Sequence, residues 1–321
     1  MNWGFIGCGS VTEIKSGPAY SITDGFHVYG VMRRDVVKLK DYAYRHNVEN
    51  IYTDAEALIN DPNIDAIYIA TPPDSHKYYA LKVATARKPC CIEKPLSPGY
   101  SDSLEIHNAF LKNNTPLFVA YYRRSLPRFL KIKAWLDAKH IGEVKHISAH
   151  LSKPASATDI SKSYNWRTDS NIALGGYFDD LASHGLDLFA FLLGNFKEAQ
   201  GLSLNQQNLY DAKDAVTASW VHESGITGSG VWNFGCYEHT DKVSIYGNKG
   251  QIEFSVFHEK SIILKSETKS EKLFIDNPKH IQQNHVENMR DFFADSKKQH
   301  PSTGKSALHT SWVMDKILGK L

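Results

Sequence analysis

Short apolar runs alternate with helix-length amphipathic stretches through the first 121 residues, and this alternation limits the possible folds more than any other property of the chain. Residues 3–6, 28–32, 66–70, 89–92 and 117–121 read as strands, and residues 11–23, 35–46, 54–60, 76–87 and 101–113 carry apolar side chains at helical spacing. Strands alternating with helices predict a parallel sheet wrapped on both faces, a doubly wound Rossmann arrangement.

The first strand runs into Gly7-Cys8-Gly9-Ser10-Val11-Thr12. Gly7 suits a tight turn, and Gly9 lets the backbone approach a pyrophosphate at the helix start, where Ser10 and Val11 present N–H groups. Thr12 stands where the fingerprint has a third glycine, which serves helix–strand packing. A plain glycine-rich turn is the alternative. The second strand ends Val31-Met32-Arg33-Arg34-Asp35, with no carboxylate at its last residue. Arg33 and Arg34 offer guanidinium groups for a 2′-phosphate, so NADP is preferred over NAD. Both arginines at a solvated helix start, with Asp35 as cap or displaced ribose acceptor, is the other reading.

The strand at 66–70 leads into Thr71-Pro72-Pro73-Asp74-Ser75-His76, at the sheet edge where ligands of such folds gather. Thr71 and Pro72 form a stiff wall for the nicotinamide end, Asp74 or Ser75 can cap the next helix, and His76 is structural or a cofactor-side contact. The strand at 89–92 ends in Glu93-Lys94-Pro95, placing Glu93 and Lys94 at the same edge. Further on, Gly175-Gly176 precede a stretch in which one α-helix sets Asp180, His184 and Asp187 at i, i+4 and i+7 on one face, with Asp179 about 100° away. A satisfied helix-face acid–imidazole pair is the bland alternative. Oxidation of a secondary alcohol moves a hydride to a nicotinamide while a base takes the hydroxyl proton. An imidazole suits that transfer near neutrality, so His184 is the expected acid–base, Asp180 orients it or binds the hydroxyl, and Lys94 stabilises charge on the reacting oxygen.

A length of 321 residues suits two domains, expected at 1–121 for the dinucleotide and 122–321 for substrate and oligomerisation. The second half carries helices at 126–139 and 179–193, then strands at 216–222, 228–234, 242–246, 251–257 and 261–264. These predict an α+β domain with a large open, mostly antiparallel sheet, whose exposed face implies a homodimer or higher oligomer. Helices at 285–294 and 306–318 follow, the last expected to pack back on the first domain. Substrate contacts are expected from Tyr121, Tyr122, Arg123, Tyr164, Trp166, Arg167 and Tyr177, whose aromatic faces and guanidinium groups suit hydroxylated rings. The net charge of +2 is scattered, which argues against nucleic acid, and no run approaches the ~20 apolar residues of a membrane span. The N-terminus has no basic leader, so a cytoplasmic location is expected. Cys8, Cys90, Cys91 and Cys236 lack metal-site spacing, and no metal is expected.

The Gly7/Gly9 turn, Thr71-Pro72-Pro73 with His76, Glu93-Lys94-Pro95 and the Asp180/His184/Asp187 block together resemble the Gfo/Idh/MocA oxidoreductases, over residues 1–195. The resemblance implies a Rossmann domain plus an open-sheet domain, an NAD(P) cofactor, sugar-like or polyol substrates, and Lys94, Asp180 and His184 as the catalytic set. Thr12 departs from the third glycine, and Ala182 stands where the family often has glycine. Two rival readings share the fold. One is a glycosidase that keeps NAD and cleaves by transient oxidation and elimination; the other is a noncatalytic dinucleotide-binding sensor.

Overall fold

The computed structural model describes residues 1–295 and 297–321. They form two compact units, Met1–Leu126 with Pro278–Leu308, and Pro127–Asn277 with His309–Leu321.

The first unit runs β1 (Asn2–Ile6), α1 (Ser10–Ile14), α2 (Gly17–Ile22), β2 (His27–Met32), α3 (Val36–Arg45), β3 (Asn50–Tyr52), α4 (Ala55–Asn60), β4 (Ala66–Ile69), α5 (His76–Thr85), β5 (Cys90–Ile92), α6 (Tyr100–Lys112) and β6 (Leu117–Val119). Its sheet has the order β3-β2-β1-β4-β5-β6 with every pair parallel. The chain winds outward in both directions from β1 and β4, so their carboxyl ends mark the switch point where open α/β sheets bind ligands. Alternate strand residues feed two cores. Trp3, Phe5, Tyr68, Cys91 and Phe118 join Tyr20, Leu39 and Met289 on one face. Ile6, Ile67, Ile69, Ile92 and Val119 join Leu58, Val83 and Phe110 on the other. Each such aliphatic or aromatic side chain contributes about 1.5–3 kcal/mol on burial, which explains why these strands read as continuous apolar runs.

Two local features differ from the sequence expectation. The single helix expected over 11–23 is divided into α1 and α2, because Pro18 lies at the start of α2 and a proline ring cannot continue a preceding helical turn. Gly17 also passes so close to α1 that a Cβ there would lie 2.2 Å from the Thr12 carbonyl oxygen. The short edge strand β3 was not expected; three residues with only Ile51 and Tyr52 apolar make no pattern.

The second unit runs α7 (Pro127–Asp137), β7 (Val144–Ser152), α8 (Ala157–Ile160), a π-helical turn (Phe178–Ala182), α9 (Ser183–Leu193), β8 (Phe196–Leu204), β9 (Ala215–His222), β10 (Thr227–Asn233), β11 (Thr240–Gly247), β12 (Gly250–Phe254), β13 (Ile262–Ser266) and β14 (Ser270–Leu273). Its eight-stranded sheet has the order β14-β13-β12-β11-β7-β10-β9-β8, with β7 and β10 parallel and the other pairs antiparallel. Helices cover one face through ring contacts: Phe129 on Phe254, Phe178 on Trp232 and Phe189 on Trp220. Strands β7, β8 and β14 escaped the sequence reading because their outward positions carry Lys, His, Ser, Glu and Gln, which dilute the alternation. The strand expected over 251–257 stops at Phe254, since the next amides are taken by the Asp241 carboxylate.

Two late helices complete the chain. α10 (Gln283–Ala294) belongs to the first unit, and α11 (Gly304–Ile317) begins in the first and ends in the second. Among the described residues, no helix is long and apolar enough to cross a membrane. The four cysteines are free thiols.

Candidate active site

In the first unit, three neighbouring strands deliver their C-terminal residues to one sheet edge. β1 is followed by Gly7, β4 by Ala70-Thr71 and β5 by Glu93-Lys94, and the pairing continues through Ala70 N to Ile6 O and Glu93 N to Ile69 O, each 2.9 Å. Gly7 sits at φ +90°, and a Cβ there would lie 2.8 Å from the Thr71 methyl, so only glycine passes. A Cβ on Gly9 would meet nothing within 4 Å. That open backbone at the start of α1 is the cradle a pyrophosphate needs, and the turn therefore fits a dinucleotide. Thr12 is fully buried and turns its hydroxyl back to the Gly9 carbonyl at 2.8 Å. This internal bond explains how the third fingerprint glycine is replaced without leaving a buried hydroxyl unsatisfied.

Arg33 donates from Nη1 to the Cys8 carbonyl at 2.7 Å, which ties the end of β2 to the glycine turn. Arg34 is exposed beside it. Asp35 caps α3, accepting from Lys38 N at 3.1 Å.

His76 is fully buried, and both ring nitrogens face main-chain carbonyls. Nε2 is 2.8 Å from Thr71 O, while Nδ1 is 3.1 Å from Pro95 O and 3.2 Å from Leu96 O. The ring thus pins the Thr71 loop to the loop after Lys94. Ser75 adds a bond from Oγ to Thr71 Oγ1 at 2.8 Å. Glu93 is held equally firmly: its carboxylate accepts from Tyr68 Oη at 2.6 Å, Gln282 Nε2 at 2.7 Å and Lys94 N at 3.3 Å. Burial, reinforced by the Glu93 charge, pushes the Tyr68 hydroxyl well above its ordinary pKa, so it remains a donor. Gln282 carried no sequence signal, since the contact spans 189 residues. Tyr121, Tyr122 and Arg123 are buried at the end of this unit, with the Arg123 guanidinium 5.0 Å from the Tyr122 ring centre.

In the second unit, the expected helix from Asp179 begins instead as the π-helical turn, and the α-helix starts only at Ser183. An i→i+5 turn inserts one residue, so Asp180 is displaced from the α-helical i, i+4 register with His184. Asp180 accepts from Arg167 Nε at 2.6 Å, and the same guanidinium lies 4.4 Å from the Trp166 ring centre. A relay secures this corner: Tyr177 Oη donates to Asp159 at 2.8 Å, Asn165 Nδ2 donates to Tyr177 Oη at 3.0 Å, and Arg167 N donates to Asn165 Oδ1 at 3.2 Å. Asp159 could have been found from sequence, because Ser156-x-x-Asp159 is a capping box. Tyr164 is largely exposed. His184 is buried, with the Phe257 ring 5.9 Å away at 81°. Asp187 is fully buried and accepts from Thr310 Oγ1 at 3.2 Å. Among the described residues, no cluster of His, Cys, Asp or Glu is placed to hold a metal ion.

Asp179 points away from this corner and serves the glycine turn. Its carboxylate accepts from Gly175 N at 2.9 Å, and a Cβ on Gly175 would sit 2.6 Å from that carboxylate. Burial pushes its carboxyl from 3.8 up to about 6, opposed by Lys320. Because the folded state then holds a proton that the unfolded state releases, stability falls as pH rises from about 4 to 6. The cost above that window is about 2–3 kcal/mol. Asp179→Asn keeps an acceptor for Gly175 and is expected to flatten this slope and to raise stability at neutral pH. Urea unfolding at pH 4, 5, 6 and 7 checks it; parallel slopes for both proteins would contradict the assignment.

Residues 1–121 match a family model described as oxidoreductase family, NAD-binding Rossmann fold, and residues 129–253 match the GFO/IDH/MocA C-terminal domain. The chain is 36% identical over 320 residues to an oxidoreductase of Formosa agariphila, covering 99% of this chain and 98% of the relative. It is 26% identical over 273 residues to the myo-inositol 2-dehydrogenase of Thermotoga maritima, covering 83% and 79%. A solved structure of levoglucosan dehydrogenase with NADH and levoglucosan aligns with a TM-score of 0.86 at 20% identity, over 99% of this chain and 96% of that one, a likeness of fold.

Proposed function

The chain belongs to the GFO/IDH/MocA family of NAD-binding oxidoreductases, and from that membership we propose that it moves a hydride between a nicotinamide cofactor and a CH–OH carbon of a sugar, polyol or keto-sugar. One observation carries the reading: the glycine turn, Thr71 and Lys94 follow three adjacent parallel strands and so share one sheet edge. A dinucleotide laid along that edge meets open backbone at Gly9 and a lysine at the other end. The relatives named for inositol and levoglucosan support a polyhydroxylated substrate.

The bound nicotinamide supplies the hydride chemistry. Gly7, Gly9, Ser10 and Val11 receive the pyrophosphate, Thr71 and Pro72 wall the nicotinamide end, and His76 and Glu93 hold the loops that shape it. Lys94 donates a hydrogen bond to the reacting oxygen, and His184 takes its proton in oxidation and returns it in reduction. Arg167 holds Asp180 in place while Trp166 offers an apolar face to the ring. Tyr122 and Arg123 are assigned to the substrate as well. Arg33 and Arg34 favour NADP over NAD, because Asp35 is engaged as a helix cap and the β2 end lacks another carboxylate.

The protein is proposed to work as a homodimer or larger assembly in the cytoplasm. On the sheet face opposite the ring contacts of the helices, Leu202, Thr217, Val231, His150 and Lys242 align across five strands beside a ladder of Ser219, Ser229 and Ser148. Small side chains flanking exposed Leu and Val make a flat surface that a second copy can cover.

The test is a panel of myo-inositol, aldoses, anhydrosugars and aryl glycosides with NAD⁺ and NADP⁺, run on protein whose mass is measured by sedimentation. Hydride transfer to a polyol or sugar, faster with NADP⁺ and by a multimer, is expected. Redox-neutral cleavage of the aryl glycoside, or cofactor binding without any turnover, would overturn the dehydrogenase reading.

A further inference from the structure

A short segment after β12 has no counterpart among the residues already assigned, yet it touches the imidazole on which the chemistry depends. Its tripeptide Val256-Phe257-His258 is gripped from two sides by buried ionic side chains. The Asp241 carboxylate accepts three successive backbone N–H groups, from Val256 at 3.0 Å, Phe257 at 2.6 Å and His258 at 2.9 Å. The Arg128 guanidinium donates to Val256 O at 2.9 Å and His258 O at 2.6 Å. Asp241 and Arg128 are 6% and 3% exposed, so these are charge-assisted bonds largely removed from water. Ser255 Oγ adds a bond to Asp241 O at 2.7 Å. A loop with both its amides and its carbonyls engaged loses the freedom that loops ordinarily have.

What this clamp presents is the Phe257 ring, edge to face with His184 at 5.9 Å and 81°. The neighbouring Val256 borders the next residue of α9, because a Cβ on Gly185 would meet its methyl at 3.9 Å. A buried carboxylate and a buried guanidinium thus hold three residues, of which Phe257 faces the His184 imidazole while His258 packs on the His239 ring at 4.4 Å.

We propose that Phe257, fixed by the Asp241–Arg128 clamp, is a positioning residue that holds the His184 ring in the orientation proton transfer requires. This rests on the reading of His184 as the acid–base. An imidazole can rotate about its side-chain bonds, and misplacement of a reacting group by about 1 Å costs about a hundredfold in rate. An edge-to-face aromatic partner restricts that rotation more than an aliphatic group of similar volume, since the ring quadrupole favours one relative angle.

The experiment compares Phe257→Leu, Phe257→Tyr and His184→Asn with the unmodified full-length protein. Single-turnover hydride transfer is followed with the panel member oxidised fastest, alongside NADPH affinity by fluorescence and thermal midpoint. Phe257→Leu is expected to slow hydride transfer by about 10–100-fold, with NADPH affinity and thermal midpoint near those of the unmodified protein. Phe257→Tyr, which keeps the ring, is expected to restore most of the rate. Equal rates for the leucine variant and the unmodified protein, or a tyrosine variant as slow as the leucine one, would overturn the proposal. If His184→Asn itself transfers hydride normally, the acid–base reading fails and takes this proposal with it. A dead His184→Asn beside a fully active Phe257→Leu removes the positioning role alone.

Discussion

Replacing Lys94 by methionine is expected to lower kcat by about 10³–10⁴-fold while leaving the NADPH dissociation constant within a few-fold of its original value. The side chain follows β5, at the same edge as the glycine turn. In the proposed reaction its charge has a specific use: when the hydroxyl proton leaves, negative charge develops on an oxygen, and a nearby ammonium stabilises that state more than the neutral alcohol. Methionine keeps the length and loses the charge. The strand end should survive the change, because Glu93 is held by the Tyr68 hydroxyl and the Gln282 amide, and His76 pins the following loop to Thr71 O. Steady-state rates and fluorescence titration with NADPH separate the two effects. A kcat within tenfold of the original would remove Lys94 from the chemistry, and a lost NADPH affinity would reassign it to cofactor binding.

The second large effect is expected at His184. His184→Asn should lower kcat by about 10²–10⁴-fold, and it should also remove an ionisation from the pH profile. As the base for alcohol oxidation the imidazole must be neutral. Oxidation by the unmodified protein should therefore fall as pH drops through that ionisation, and reduction should fall as pH rises through it. The asparagine variant should show neither limb. Asparagine retains polar character in the buried position beside the Phe257 ring, so the variant separates loss of the ionisable group from loss of polarity. An unchanged limb in the variant would assign the ionisation elsewhere.

The sequence was most legible where strands are buried on both sides. Ile67, Ile69, Ile92 and Val119 sit in one core while Tyr68, Cys91 and Phe118 sit in the other, so each parallel strand reads as an unbroken apolar run. The open sheet was harder, because β7 presents Lys145, His146, Ser148 and His150 between its buried residues and β8 presents Glu198, Gln200 and Leu202. Parallel pairing of β7 with β10 is a long-range event with no local signature.

The candidate residues were legible as chemistry and less so as geometry. The Gly7-x-Gly9 turn and the Glu93-Lys94-Pro95 strand end both announce themselves, but the bonds that secure them come from Tyr68, His76 and Gln282, distant in sequence. The spacing of Asp180 and His184 suggests a single α-helix, since an inserted π turn leaves the apolar pattern of 188–193 intact. Arg128 and Asp241 were invisible for a related reason. Their partners are main-chain groups, and the residue types that supply those groups are unconstrained.

The functional reading requires that the Lys94 ammonium and the His184 imidazole serve one hydroxyl. A crystal structure of the complex with NADPH and a polyol inhibitor measures this directly. Lys94 Nζ and the His184 ring nitrogen are each expected within about 2.6–3.2 Å of the same inhibitor oxygen, with the carbon bearing that oxygen facing the nicotinamide. Lys94 and His184 on different ligand atoms, or pointing into separate regions of solvent, would contradict it.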